Sequence, residues 1–173
     1  MIRLILLLIL LLLPGCKSQD LPENWRPLTK VVERPLNKIG GDYTTISPYL
    51  ITTNLDAFNN KNPVELEALR RHEVTHAEEQ ETYIRSLDNP DSSFLSKRHI
   101  RMSQWLHKYV TDKDFRWGVE QRGYKAEMLY LMSRGHTLFP EVYAKILSGK
   151  TYMNMVSYED ALEWVHKVIR ERR

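Results

Sequence analysis

The feature that most constrains this 173-residue chain is a pair of histidines and a glutamate set into the inward face of one helix. Residues 62–87 read as that helix. Asn62 is placed to cap it, Pro63 takes the first helical position, and Glu65 stands three residues after the cap, as in a capping box. Asp88-Asn89-Pro90 stops it. In its middle lies His72-Glu73-Val74-Thr75-His76. At about 100° per residue, His72 and His76 are about 40° apart, with Glu73 in the same arc of about 100°. Leu66, Leu69, Gln80, Tyr83 and Leu87 share the stripe, while Arg70, Arg71, Glu78 and Glu81 point elsewhere. A single buried histidine is usually a core residue satisfied by local hydrogen bonds. Two imidazoles and a carboxylate on one inward face are costly to bury without a partner, which favours a metal ion. The spacing suits one tetrahedral Zn2+ per chain held by His72 and His76, with Glu73 in reach of a water on it.

A second acidic stripe follows. Asp112 or Asp114 is placed to cap a helix that ends before Gly135, and on it Glu120, Tyr124 and Glu127 fall within about 60° of each other, beside Trp117 and Leu131. Acids in an apolar stripe need a reason, and a metal supplies one. Further helices are predicted over 93–109, 140–147 and 157–173. Residues 43–53 are rich in β-branched and aromatic side chains, but Pro48 interrupts them, which predicts an edge strand or short hairpin. The fold class expected is therefore α+β, mostly α. Lys97, Arg98, Arg101 and Lys108 read as a solvated face, and Met128, Leu129, Leu131 and Met132 as core. His99, His107, His136 and His166 read as surface or core positions; one of them, or Tyr124 or Tyr143, is a candidate to stabilise an oxyanion.

The stretch 62–128, with HExxH at 72–76 and a later Glu-bearing helix, resembles the zincin metallopeptidases. The metzincin branch would need a glycine three residues after His76 and a histidine six after it; Glu79 and Thr82 stand there. The gluzincin pattern takes its third ligand, a glutamate, from a later helix. The resemblance implies a zincin-like domain over 42–173, with a short edge strand or hairpin, the HExxH helix and a third-ligand helix. It implies His72, His76 and Glu120 as zinc ligands, with Glu127 the rival to Glu120, and Glu73 as general base. Glu127 and Tyr124 are candidates to support the ligands from behind. The implied activity is hydrolysis of peptide bonds in a polypeptide or a peptidoglycan stem, with 43–53 available to pair with an extended substrate. The competing expectation is a non-catalytic envelope lipoprotein with a structural or vestigial zinc site.

The N-terminus bears on the address. Residues 4–13 are all Leu or Ile, too short a run for a membrane span of about 20 residues, but fitting a signal h-region of about 7–15. Leu13-Pro14-Gly15-Cys16 follows at once and resembles a bacterial lipobox. That implies a leader over 1–15, a lipid-modified Cys16, and membrane attachment through several acyl chains. Lys17 then implies the periplasmic face of the outer membrane if the cell is Gram-negative. Residues 16–41, marked by Pro22, Pro27 and Pro35 and closed by Gly40-Gly41, read as a polar tether. A net charge of +3 is too small for a nucleic-acid partner, and one cysteine allows no internal disulfide. The oligomeric state is left open.

Overall fold

The computed structural model describes residues 30–33, 43–47, 50–53, 62–86 and 94–171, with side chains at 62–86 and 100–171. The leader, Cys16, Leu87 and the stop at 88–90 lie outside the described residues. The chain divides into two compact units, Met1–Asn60 and Lys61–Arg173.

The first unit contains β1 (Lys30–Glu33), β2 (Tyr43–Ser47) and β3 (Leu50–Thr53) in the order β1-β3-β2. β3 runs parallel to β1, with Val31 opposite Ile51. It runs antiparallel to β2, with Thr44 opposite Thr52 and a register shift between Thr45 and Ser47. The sequence reading assigns Lys30–Glu33 to the tether; the backbone there is a strand.

The second unit contains α1 (Pro63–Ser86), α2 (Phe94–Thr111), α3 (Lys113–Ser133) and α4 (Pro140–Leu147), then a 3-10 turn (Lys150–Tyr152) and α5 (Tyr158–Glu171). Helix makes up 85% of its described residues, and none is in a strand. This corrects the expectation of an α+β, zincin-like domain in which an edge strand or hairpin precedes the HExxH helix. The β-branched segment pairs within the first unit, where β3 finds ladder partners on both sides. The unit that carries HExxH offers no described strand with which such a ladder could form.

Local chemistry explains the helix ends. Asn62 Oδ1 accepts from the Glu65 amide at 2.9 Å, and Asp112 Oδ1 accepts from the amides of Asp114 and Phe115 at 3.0 and 2.9 Å. Asp112 alone separates α2 from α3, so the chain turns sharply there. α3 ends in a Schellman motif. The Gly135 amide donates to the Met132 carbonyl, the His136 amide donates to the Leu131 carbonyl, and Gly135 has φ +81°.

Burial on α1 follows a four-residue step through Ala68, His72, His76, Gln80 and Ile84, with Glu73 and Ala77 beside it. The expected stripe is thus turned slightly: Leu66, Leu69 and Tyr83 flank it, half-buried. Arg101 is buried, not part of a solvated face. Its guanidinium donates to the Ile84 carbonyl at 3.0 Å, capping the end of α1. α1 packs most extensively on α3. The other face of α3 meets α4 and α5 in a core of Met128, Met132, Leu147, Met155, Val165 and Val168. Among the described residues, no helix is long and apolar enough to cross a membrane.

A Cβ at position 135 would meet nothing within 4 Å, so a substitution there tests backbone strain alone. Gly135→Ala is expected to lower stability by about 1 kcal/mol, read by chemical denaturation, with the secondary structure unchanged.

Candidate metal centre

The site forms where α1 and α3 touch. α1 brings His72 and His76 on successive turns of its buried stripe; α3 brings Glu120 and Glu127. The backbone at Gly123 allows the contact. A Cβ there would stand 2.8 Å from His72 Nε2 and 2.8 Å from His76 Cε1. The glycine is therefore needed for clearance, not for an unusual backbone angle. An interior helical glycine costs roughly 1 kcal/mol relative to alanine, which is the signal by which the sequence could have pointed to it.

The donor atoms of His72, His76 and Glu120 lie within 4.8 Å of one another. His72 Nε2 is 3.5 Å from Glu120 Oε2, and His76 Nε2 is 3.7 Å from Glu120 Oε1. The three residues are 3–7% exposed. His76 Nε2 and Glu120 Oε2 are buried with no hydrogen-bond partner, a costly state for polar atoms facing one point. Two imidazole nitrogens and a carboxylate oxygen form a donor set suited to zinc. On these observations the residues fit a divalent metal ion.

His72 and Glu120 are each held from behind by a hydrogen bond. His72 Nδ1 lies 3.1 Å from Glu127 Oε2. A carboxylate accepts, so Nδ1 carries the hydrogen, and a neutral His72 turns its Nε2 lone pair toward Glu120. Glu127 also accepts from the Tyr143 hydroxyl at 3.1 Å. This places Glu127 behind His72 and Glu120 in front of it. The Tyr124 ring packs edge-on to His72 at 4.4 Å, while its hydroxyl pairs with that of Tyr152 at 2.9 Å. Glu120 Oε1 accepts from the Tyr109 hydroxyl at 2.5 Å. Behind His76, Glu79 Oε2 stands 3.7 Å from Nδ1, and Arg122 pairs with the other Glu79 oxygen.

Without metal the cluster is strongly coupled. Burial disfavours charge on His72, but Glu120 and Glu127 outweigh it and lift its pKa to about 10. At His76 burial again opposes charge, and Glu120 with Glu79 raises the pKa to about 9. Burial alone would raise the Glu120 carboxyl; the two imidazoles instead hold it well below the usual carboxylate range. An entering cation therefore displaces protons from both histidines. Burial, reinforced by Glu120, pushes the Tyr109 phenol far above its ordinary value, so it remains a donor.

Glu73 is buried on the same face and acts electrostatically on His72, Tyr109 and Tyr124. Of the proposed oxyanion candidates, Tyr143 and Tyr124 line the cluster, whereas His107, His136 and His166 are exposed to solvent. The His99 side chain lies outside the described residues. Sequence reading missed Tyr109, Glu79 and Tyr152, none of which carries a local signal. Comparison with family models, with curated proteins and with solved structures returns no match.

The crowding at position 123 gives a direct test. Gly123→Ala is expected to force the imidazoles aside, to lower stability by about 1–3 kcal/mol, and to weaken zinc retention in a chelator competition. Unchanged zinc affinity would show that the helices do not approach as described.

Proposed function

We propose that this chain is a lipid-anchored zinc metallopeptidase of the bacterial cell envelope. The observation that carries the reading is the convergence of His72, His76 and Glu120 donor atoms within 4.8 Å, with two of those atoms buried without a hydrogen-bond partner. His72 and His76 would hold the metal through their Nε2 atoms, and Glu120 through a carboxylate oxygen. Zinc, when bound, supplies Lewis acidity and eases the ionisation of water at neutral pH.

The chain's own residues do the rest. Glu127 fixes the His72 ring by accepting its Nδ1 hydrogen, and the Tyr143 hydroxyl steadies Glu127 in turn. Glu73 follows His72 directly and shares its buried face, so it serves as the base. It accepts a proton from the attacking water and returns it to the departing amine. The substrate is a polypeptide or a peptidoglycan stem peptide, as the envelope address favours. That address follows from the leader and from Cys16 in its lipobox-like setting.

A second reading, a structural zinc in a non-catalytic envelope lipoprotein, draws support from the burial of all three ligands, since Glu120 is only 3% exposed. The two are separated by chemistry at Glu73. Glu73→Gln is expected to keep close to one zinc per chain and to lose peptide hydrolysis by roughly 100- to 10,000-fold. His72→Ala is expected to lose metal and activity together. Metal analysis with a peptide-library assay, with and without chelator, reads both. Full activity in Glu73→Gln rejects this mechanism, and a zinc-loaded wild type that cleaves nothing supports the structural reading.

The address has its own test. Cys16→Ser is expected to abolish incorporation of labelled fatty acid and to release the protein from membranes. A wild type that takes up no label would refute the anchor.

A further inference from the structure

The corner between α2 and α3 is unusually well built for a surface turn, and its output is a single hydroxyl. Tyr109, in the last turn of α2, stacks on Trp105 with ring centres 5.4 Å apart and planes 11° from parallel. Arg116, 4% exposed, reaches back from α3 and donates to the Tyr109 and Val110 carbonyls at 2.7 and 2.9 Å. Its guanidinium also faces the Tyr109 ring, 6.0 Å from the centroid. Asp112 caps α3 between them. Held on backbone and ring alike, the Tyr109 hydroxyl donates to Glu120 Oε1. The other oxygen, Oε2, is buried without a hydrogen-bond partner, 3.5 Å from His72 Nε2.

We infer that Tyr109 is a positioning residue that engages Oε1 of Glu120 and so leaves Oε2 as the oxygen presented to the metal. The inference rests on the zinc reading given above and deepens it. An ionised carboxylate has two oxygens and can grip a cation through either or both. A strong donor fixed on one of them makes it a weaker ligand and fixes the plane of the carboxylate. The site would then offer three protein donors, the number found in catalytic zinc sites. Without the hydroxyl, both oxygens become equally available and the carboxylate is free to rotate. Tyr109 thus bears on how many protein atoms the metal receives, though it touches no metal itself.

Cobalt(II) is the probe, because its visible absorption is intense in four-coordinate sites and weaker when a further donor joins. Tyr109→Phe deletes the hydroxyl and keeps the ring on Trp105. Purified wild-type protein loaded with cobalt is expected to show the intense, four-coordinate spectrum. Tyr109→Phe is expected to show a weaker, shifted spectrum and an affinity about 10- to 100-fold lower in chelator competition. Arg116→Gln keeps the hydroxyl but loosens the corner that carries it, and is expected to move the spectrum part of the way. If Tyr109→Phe folds poorly without metal, refolding it in cobalt gives the same reading. A spectrum identical to wild type in both variants overturns the inference while leaving the metal site standing. A wild type that binds no cobalt or zinc overturns the metal reading itself.

Discussion

Two imidazoles and a carboxylate meet out of water where α1 crosses α3, and α2 and α4 each send a hydroxyl to that contact. Burying such groups is unfavourable unless each finds a partner. Glu127 serves His72, and Tyr109 serves one oxygen of Glu120. His76 Nε2 and the second oxygen of Glu120 are left facing each other's neighbourhood without a hydrogen-bond partner. A cation would answer both at once, because imidazole lone pairs and a carboxylate oxygen attract the same positive charge. The close approach exists only because position 123 is glycine; any side chain there would occupy the space between the helices.

The outer shell is built mainly from hydroxyl donors. Tyr109 comes from α2 and Tyr143 from α4, each bonding a glutamate of the cluster, while Tyr152 from the 3-10 turn pairs with the Tyr124 hydroxyl. Burial and the nearby carboxylates keep these phenols protonated. A neutral donor can steady a carboxylate without neutralising it, so the negative charge of Glu120 and Glu127 stays available to the histidines. The turn that carries Tyr152 ends in two residues with positive φ, Met153 at 56° and Asn154 at 49°. That left-handed pair is paid for in backbone energy, since neither residue is glycine.

Much of the helical unit is legible in the sequence because its signals are local. Asn62, Asp112 and Gly135 mark helix ends through hydrogen bonds to amides and carbonyls a few residues away. The common face of His72, Glu73 and His76, and that of Glu120 and Glu127, follow from the pitch of the helix alone. Other features are not legible. Arg101 reads as solvated by its neighbours, yet is drawn inward by the Ile84 carbonyl, 17 residues distant. The β-rich composition of 43–53 is real, but composition does not name a strand's partner. The partners lie in the first unit, and the expected strand-plus-helix domain gives way to a unit with no strand among its described residues.

The sequence by itself determined the candidate residues: two histidines four apart, an acid between them, and a second helix with two acids on one face. Those relations depend on the fixed rise and twist of a helix, which every residue of the helix shares. Only the tertiary structure decided which acid stands in front of His72 and which behind, because that depends on the depth and rotation at which α3 lies against α1. It also decided that Tyr109, Glu79 and Tyr152 belong to the site. Their places are set by the sharp turn at Asp112, the clearance at Gly123 and the turn at 150–154, and no periodicity along the chain encodes contacts made between helices.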